Sequence, residues 1–303
     1  MPHDVAIRRR ERLIVRILRH RTARLGGLIV LVFVLAAVFA TPLSALSGND
    51  PYTQHTELLD ASSAPLGFGG GISAEHWFGV TPLGGRDLFA IVVHGAQISL
   101  GIGLASTAVS VVIGVTIGLL AGYFPGIADR LLSRFIDVIF GFPFLIFAIA
   151  LTAIVPASVP KPLVLVLVLG FFGWPTIARL VRAETASLTN RGFVVASRSM
   201  GHSTAHVLVR QILPNIRPLL VVYITLAVPG RIGAEAALSF LGVGINPPTA
   251  SWGRSISDAV AWIQVDPAYL LFPGGALVLL TLGFNLLGDG LRDVLDPRTV
   301  DAR

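Results

Sequence analysis

Two stretches near the middle of the chain decide the fold: Phe193-Val-Val-Ala-Ser-Arg-Ser-Met-Gly-His-Ser203 and Gln211-Ile-Leu-Pro-Asn215. The first stretch is polar and is interrupted by Gly201, yet the segments on either side are apolar enough to cross a bilayer. A polar segment between two membrane spans lies at the membrane surface, because its backbone groups cannot be satisfied in lipid. We therefore predict a polytopic membrane protein whose surface loop is bound by a partner outside the bilayer.

The composition also indicates a membrane protein. Hydrophobic residues make up 53% of the chain and charged residues 13%, and the mean hydropathy is +0.77, outside the range of soluble domains. There is no cysteine, which excludes disulfides, thiolate metal sites and cysteine nucleophiles. The net charge of +6 does not form an aromatic-interleaved basic patch, so we predict no nucleic-acid partner.

Six segments have the roughly 20 apolar residues that a helical crossing of the bilayer requires. The predicted fold is therefore all-α, a polytopic membrane protein with six transmembrane helices. The first segment is longer than the core of a secretory signal, so we interpret it as an uncleaved anchor. The segments are Leu25 to Leu46, a stretch within Leu88 to Ala128, a stretch within Val138 to Pro156, Pro162 to Ala178, about Ile212 to Leu238 and about Tyr269 to Gly288.

The distribution of arginine orients these helices. With both termini in the cytoplasm, 19 of the 23 basic residues lie on the cytoplasmic side, as the positive-inside rule favours. Residues 7–24 carry an apolar face flanked by arginines, which suits either an interfacial helix on anionic lipid or a solvated basic tail. The predicted organisation is a basic cytoplasmic segment 1–24, a helix 25–46, an extracytoplasmic segment 47–94, a five-helix core 95–290 with a cytoplasmic loop 182–212, and a cytoplasmic tail 291–303.

Few charged side chains fall inside the predicted spans. Arg231 and Glu235 are four residues apart in the fifth helix, so they can pair on one face, either as a structural ion pair or along a pathway. Ser239 and Phe240 follow one turn later. We treat these four residues as candidates for a pathway or gate.

Three further patterns concern packing and turns. Gly114, Gly118 and Gly122 recur every fourth residue and predict close packing against another helix; the alternative is a face that contacts a partner subunit or moves during gating. Asp129, Arg134 and Asp137 surround the inner turn between the second and third helices, and we expect them to fix this turn at the membrane surface rather than to carry protons. Prolines 143, 175, 214, 218 and 229 can either line a pathway with freed carbonyls or act as tolerated kinks.

Motifs for enzyme chemistry are missing from the sequence. A P-loop requires Gly-x4-Gly-Lys-Ser/Thr, and Lys161, the only lysine, is not in such a motif. No histidine spacing is typical of a zinc site. Gly288-Asp-Gly290 resembles an intramembrane aspartyl protease motif but lacks a second membrane aspartate, so we interpret it as a helix-end cap. The chain is predicted to be neither an enzyme nor a metal or cofactor binder.

The surface loop resembles the coupling loop by which permease subunits of ABC importers bind their ATPases. Ala196 and Ser197, then Gly201, then nine residues and Gln211-Ile-Leu-Pro214 follow the family pattern, although Val195 and Gln211 replace its usual glutamate and aliphatic residue. The resemblance therefore assigns a set of residues to the ATPase contact. They are Phe193, Val194, Val195, Ala196, Ser197, Arg198, Met200, Gly201, His202, Ser203, Leu213 and Pro214.

Other signatures are similar to those of dipeptide, oligopeptide and nickel importer permeases, specifically their C-type subunit. These matches cover most of residues 76–297, with Gln97 in place of the usual arginine. The matching stretches are His76-Trp-Phe-Gly-Val-Thr-Pro-Leu-Gly-Gly-Arg-Asp-Leu-Phe89, His94-Gly-Ala-Gln-Ile-Ser-Leu100, Glu235-Ala-Ala-Leu-Ser-Phe-Leu-Gly-Val-Gly244, Pro247-Pro-Thr-Ala-Ser-Trp-Gly253 and Phe284-Asn-Leu-Leu-Gly-Asp-Gly-Leu-Arg-Asp-Val-Leu-Asp-Pro297.

This resemblance implies an ATP-driven importer in the bacterial cytoplasmic (inner) membrane, with the type I ABC importer permease fold. Its partners would be a homologous B-type permease subunit, two cytoplasmic ABC ATPases that bind ATP and Mg²⁺, an extracytoplasmic substrate-binding protein, and membrane lipid. The implied cargo is a di- or oligopeptide, with a nickel-chelate permease as the alternative. A secondary transporter, which would need buried coupling acids, and an intramembrane enzyme are the rival classes.

Overall fold

The computed structural model describes residues 15–156 and 158–295, and this part of the chain is helical apart from its loops. It contains no β-strand, only isolated bridges between Leu59 and Pro65 and between Val80 and Asp87. The predictions for residues 1–14 and 296–303 lie outside the described residues. The principal helices are α1 (Arg21–Val38), α2 (Ala40–Leu46), α3 (Leu88–Tyr123), α4 (Ile127–Gly141), α5 (Phe144–Ile154), α6 (Lys161–Thr189), α7 (Gly192–Ser199), α8 (Leu213–Phe240), α9 (Trp252–Ala259) and α10 (Ala268–Leu295).

Five helical runs are long and apolar enough to cross a membrane: α1, α3, α6, the run Thr204–Phe240, and α10. The predicted third span is not one straight helix, because α4 and α5 meet at an angle of 79°. Phe142, between them, is extended with φ −75° and ψ 131°, the conformation that a following proline favours. Pro143 therefore breaks this span, and the number of crossings is six if the bent pair counts as one.

The predicted first span is also interrupted. Helix α1 ends at Val38, Phe39 leaves the helical conformation, and α2 starts at Ala40. The second span is longer than the bilayer requires, because α3 has 36 residues and is about 54 Å long. Asp87 caps its first turn by accepting a 2.7 Å hydrogen bond from the backbone N–H of Ala90.

Helices α3 and α6 form the most extensive helix pair in the described structure. The glycine stripe of α3 makes this contact: a Cβ at Gly118 would lie 2.7 Å from the Ala178 carbonyl oxygen on α6, and one at Gly114 would lie 2.8 Å from Ile177 Cβ. Gly122 meets Thr185 in the same way. The stripe therefore packs within this chain, which confirms the packing interpretation and not the partner-subunit one.

Helix α10 packs against α1 at several small residues. A Cβ at Gly290 of α10 would lie 2.6 Å from Ala23 Cβ on α1. A Cβ at Gly26 of α1 would lie 2.4 Å from the backbone nitrogen of Leu287 on α10. Asp289 lies within α10, which continues to Leu295. The interpretation of Gly288-Asp-Gly290 as a helix-end cap is therefore wrong, because these glycines serve close helix packing instead.

The broken span is tied to α6 at its inner end by two ion pairs. Arg182 donates hydrogen bonds to both carboxylate oxygens of Asp129, and the distance from Arg182 Nη2 to Asp129 Oδ2 is 2.8 Å. Arg179 Nη2 lies 2.7 Å from Asp137 Oδ1. The Arg179 guanidinium also covers the Phe140 ring at 4.2 Å. Both aspartates thus fix α4 to α6 through arginines of α6.

The segment before α3 forms a compact outer layer. His76 Nδ1 donates a 2.8 Å hydrogen bond to the buried Asp87 carboxylate, and Asn49 Nδ2 donates to the Glu75 carbonyl at 2.6 Å. Nearby, hydrogen bonds from the Thr53 hydroxyl and from backbone N–H groups lower the pKa of Asp50.

Helix α9 is attached to α3 by a buried tryptophan. Trp252 of α9 is fully buried and donates a 2.8 Å hydrogen bond from Nε1 to the Val92 carbonyl of α3.

Candidate functional site

The predicted coupling loop contains a short helix, α7, followed by a sharp turn. Helix α7 spans Gly192–Ser199, and Gly201 has φ +78°, a left-handed conformation that favours glycine. Ser203 then caps the next turn, Thr204–His206, by accepting a 3.3 Å hydrogen bond from the His206 backbone N–H. Gly201 therefore forms the turn that separates α7 from the next helical turn.

One face of α7 is fixed to the membrane helices. Val194 is fully buried, in a cluster that includes Val207, Leu208 and Ile212. Ser197, on the same face, is 1% exposed. This anchoring gives the short helix a defined orientation, since its own length is too small for independent stability.

The opposite face of α7 is open and partly apolar. Phe193 and Val195 on α7 are 40% and 49% exposed, and Met200, directly after the helix, is 69% exposed. Ala196, Arg198, Gly201, His202 and Ser203 are exposed as well. Exposed apolar side chains on an otherwise anchored surface helix are suited to a protein contact.

Arg198 connects this loop to the end of α3. Its guanidinium lies 4.5 Å from the centre of the Tyr123 ring, and its Nε donates a 3.1 Å hydrogen bond to the Tyr123 hydroxyl. The His202 ring stacks on that of His206 at 4.3 Å. Sequence reasoning missed Tyr123 and His206, because their contacts depend on how the loop folds back onto α3 and onto its own next turn.

The loop continues into α8 without a break. Residues Val207–Ile212 form a π-helical segment, and α8 begins at Leu213 with Pro214 in its first turn. Leu213 and Pro214 are half-buried. They therefore lie at the base of the loop rather than on the exposed face of α7.

The predicted ion pair between Arg231 and Glu235 is not formed. Glu235 is fully buried and accepts hydrogen bonds from three hydroxyls: Ser99 at 2.8 Å, Ser239 at 2.8 Å and Ser251 at 3.1 Å. No ion pair among residues 15–156 and 158–295 includes Arg231. Arg231 and Glu235 are one turn apart on the same helix, as the sequence predicted. The Glu235 carboxylate nevertheless accepts its hydrogen bonds from three serines on separate elements and not from Arg231.

Arg231 lines a cavity of about 840 Å³ between α6, α8 and α10. Its other lining residues include Gly173, Thr176, Tyr223 and Leu226, with Glu184 and Arg292 toward the coupling-loop end. Arg231 Nε is buried and has no hydrogen-bond partner among the described residues. The cavity is thus a recess with mostly apolar walls, and Arg231 is its charged group in the outer half of α8.

The four predicted pathway residues are divided between two places. Arg231 lines the cavity, whereas Glu235 and Ser239 are buried in the hydroxyl cluster, where the Ser239 oxygen also accepts a 3.0 Å hydrogen bond from the Ile245 N–H. Phe240 is 41% exposed at the end of α8. The structure therefore joins Glu235 with Ser239 but does not bring all four residues into one site.

Comparison with known families decides what kind of protein this is. Residues 114–301 match the family described as "Binding-protein-dependent transport system inner membrane component". The chain belongs to this family. The matched region includes the coupling loop, the cavity and most of the membrane helices, so the predicted resemblance to an importer permease is confirmed.

This permease is similar to a well-defined group of relatives. It is 39% identical over 280 residues to the glutathione transport system permease protein GsiD of Escherichia coli O6:K15:H31 (strain 536 / UPEC), which covers 92% of this chain and 88% of GsiD. GsiD of Shigella boydii serotype 4 (strain Sb227) has the same identity and coverage. These relatives support a peptide-type ABC importer permease.

Solved structures agree on the fold. A structure of the MetNI methionine ABC transporter in an inward-facing conformation is similar with a TM-score of 0.55 and 24% identity, covering 67% of this chain and 96% of the matched chain. A second crystal form of MetNI gives a TM-score of 0.54 and 26% identity with the same coverage. The helical architecture is therefore that of an ABC transporter permease, an integral membrane component distinct from the ATPase.

Proposed function

We propose that this permease forms, with a homologous B-type subunit, the translocation pathway of an ATP-driven importer for di- or oligopeptides. The importer lies in the bacterial cytoplasmic membrane, and an extracytoplasmic binding protein delivers the peptide. Support for the cargo comes from the 39% identity to proteins named as glutathione permeases, since glutathione is a small peptide. A nickel-chelate cargo remains the alternative that the sequence signatures allow.

In this proposal, the energy source is outside the chain. Two ABC ATPases bind ATP and Mg²⁺, and this subunit binds no cofactor. One ATPase holds the exposed face of α7, where Phe193, Val195 and Met200 present apolar surface. The observation that carries the proposal is this exposed face on a helix whose other face is anchored by the buried Val194. Such a helix transmits movement because it cannot slide independently of the bundle.

The coupling follows from two-state linkage. ATP-driven closure of the ATPases would displace α7, and the continuous run Thr204–Phe240 would carry that displacement into the wall of the cavity. Inward-facing and outward-facing arrangements then differ in their affinity for nucleotide and for the loaded binding protein. Import results because each ligand favours a different arrangement.

The test of the coupling loop is Gly201→Val in the assembled complex. Gly201 has open space around it, so the substitution acts through the left-handed backbone and not through a collision. Stimulation of ATP hydrolysis by peptide-loaded binding protein is expected to fall severalfold while the complex still assembles.

Gly126→Val is the matched control, because Gly126 also has a positive φ (+99°) and open space but lies in the turn before α4. It likewise places a Cβ on a residue of positive φ, but away from α7, so stimulation should be retained. Wild-type stimulation in Gly201→Val would refute the role of the loop. The cargo is tested separately, by purifying the native complex and identifying its bound ligand by mass spectrometry.

A further inference from the structure

The unpaired guanidinium of Arg231 is the feature of the cavity that requires an explanation. An arginine side chain carries its charge at any physiological pH and offers five N–H donors. Burying such a group without an acceptor is unfavourable. Arg231 is half-buried, and its Nε is shielded from solvent with no partner among the described residues. A ligand that supplied an acceptor would therefore be favoured at this position.

The surroundings of Arg231 hold the guanidinium in place without neutralising it. The guanidinium lies directly against Gly173 of α6, so closely that a Cβ at this position would overlap Nη2 and Cζ. Ser110 of α3 is adjacent, but its hydroxyl donates to the Gly170 carbonyl at 2.8 Å. Gly173 thus provides the space that the guanidinium occupies, and Glu235, one turn away on α8, accepts hydrogen bonds from serines and forms no ion pair with Arg231 in the described structure.

The other charges of the cavity are remote from Arg231. Glu184 follows Gly173 by eleven residues on α6, which places it about 16 Å away along the helix axis. Arg292 lies near the end of α10, on the same side as Glu184. Among the residues that line the cavity, Arg231 is therefore the charged group at the end away from the coupling loop.

We infer that Arg231 binds the terminal carboxylate of the peptide as it passes through the cavity. Guanidinium and carboxylate groups form paired, charge-assisted hydrogen bonds. Every peptide with a free carboxyl terminus carries this group whatever its side chains, so one arginine can serve a varied cargo. The cavity volume of about 840 Å³ is within the range of small-ligand sites. This inference rests on the proposed peptide cargo and assigns Gly173 as the positioning residue for Arg231.

The experiment measures uptake into proteoliposomes that contain the complete transporter. The probe is a mixture of synthetic tripeptides, each present as the free acid and as the carboxyl-terminal amide, and uptake is quantified by mass spectrometry. The acid-to-amide ratio is compared between the wild type and Arg231→Gln. Because both complexes use the same binding protein, its own preference cancels in this double comparison.

Arg231→Gln is expected to lower uptake of free acids by about tenfold or more and to affect amides much less. Arg231→Lys should retain part of the preference, because an ammonium still pairs with a carboxylate. Arg217→Gln, which removes the same charge from an exposed position on α8, should leave uptake unchanged. If neither complex takes up amides, only the uptake of free acids is compared. Uptake that Arg231→Lys retains and Arg231→Gln loses then supports the inference.

Gly173→Ala tests the positioning role with the same readout. It should displace the guanidinium and reduce the acid-to-amide ratio. Gly170→Ala is its control, since a Cβ there would meet Val109 at 2.7 Å and disturb packing without touching Arg231. The inference would be overturned if the Arg231 and Gly173 variants lost uptake of free acids and of amides to the same extent. It would also be overturned if these variants lost no uptake at all. If the wild type imports no peptide in either form, the proposed peptide cargo fails instead.

Discussion

Ser99 and Glu235 are 136 residues apart in the chain, and the Ser99 hydroxyl donates a 2.8 Å hydrogen bond to the Glu235 carboxylate inside the bundle. This contact joins α3 to α8. Ser251, which caps α9, donates to the same carboxylate at 3.1 Å. One buried acid thus connects two membrane helices with the beginning of α9.

Replacement of Glu235 should be strongly destabilising. Glu235→Ala leaves three buried hydroxyls without their acceptor, and we expect a loss of at least about 3 kcal/mol in the free energy of unfolding. Ser99→Ala removes one hydrogen bond and should cost about 1 kcal/mol. Unfolding of the purified subunit in mixed detergent micelles measures both values. Equal losses in the two variants would contradict a shared acceptor role for Glu235.

The glycine stripe of α3 gives a second prediction. Gly118→Ala should weaken the packing of α3 on α6 by about 1 to 3 kcal/mol, because its Cβ would lie 2.7 Å from both the Ala178 carbonyl oxygen and Val181 Cβ. Gly101→Ala on the same helix is the control, since nothing lies within 4 Å of its Cβ position. It should be neutral or slightly stabilising. Thermal unfolding of both variants in one detergent would show the difference, and a neutral Gly118→Ala would argue against close packing there.

The two ion pairs between α4 and α6 should differ in strength. Arg182 holds Asp129 with two hydrogen bonds, and the side chains are 39% and 25% exposed, whereas Arg179 and Asp137 are 52% and 50% exposed. Double-mutant cycles to alanine should therefore give a coupling energy of about 1 kcal/mol for the first pair and less for the second. The coupling of the second pair should also vanish at high salt. A larger coupling for Arg179 and Asp137 would refute this ranking.

Asp266, in the loop before α10, should make stability depend on pH. The side chain is 2% exposed, Oδ2 has no hydrogen-bond partner among the described residues, and burial raises its pKa. When a carboxyl has a higher pKa in the folded state than in the unfolded state, the folded state loses stability as the pH rises above the unfolded pKa. The loss reaches its full size once the pH is above the folded pKa. Asp266→Asn is therefore expected to be more stable than the wild type at neutral pH.

The same linkage predicts that the advantage of Asp266→Asn shrinks as the pH falls through the folded pKa, because the wild-type carboxyl then becomes neutral as well. The asparagine can still accept the 3.2 Å hydrogen bond that Asp266 Oδ1 receives from the Ala268 N–H. Unfolding midpoints measured from acidic to neutral pH would follow this trend. An advantage that stays constant with pH would exclude titration of Asp266 as its cause.

Hydropathy was sufficient to locate the membrane helices, because a bilayer selects for length and apolar composition alone. It could not show that the third span is bent by 79°, since the apolar stretch continues through Phe142 and Pro143, from Val138 to Ile149, without a change in hydropathy. The turn at Gly201 was predictable because few residues other than glycine adopt a positive φ. The role of Gly201 in binding an ATPase stays a prediction.

Charged residues inside the membrane were less predictable. Spacing of four placed Arg231 and Glu235 on neighbouring positions of one helix, but spacing says nothing about competing partners from other elements. Ser99 and Ser251 approach Glu235 only after α3 and the segment before α9 have packed. A buried carboxylate surrounded by hydroxyls leaves the nearby arginine unpaired, and this could be recognised only in three dimensions.

The uninterrupted helical run from Thr204 to Phe240 has a mechanical consequence. Its 37 residues extend over about 55 Å, with the coupling loop at one end and the Glu235 hydroxyl cluster near the other. If the run pivots as a rigid lever about its midpoint, a rotation of only about 5° displaces each tip by roughly 2.4 Å. A push at the cytoplasmic tip would then swing the opposite tip the other way, with no relay of side chains between them.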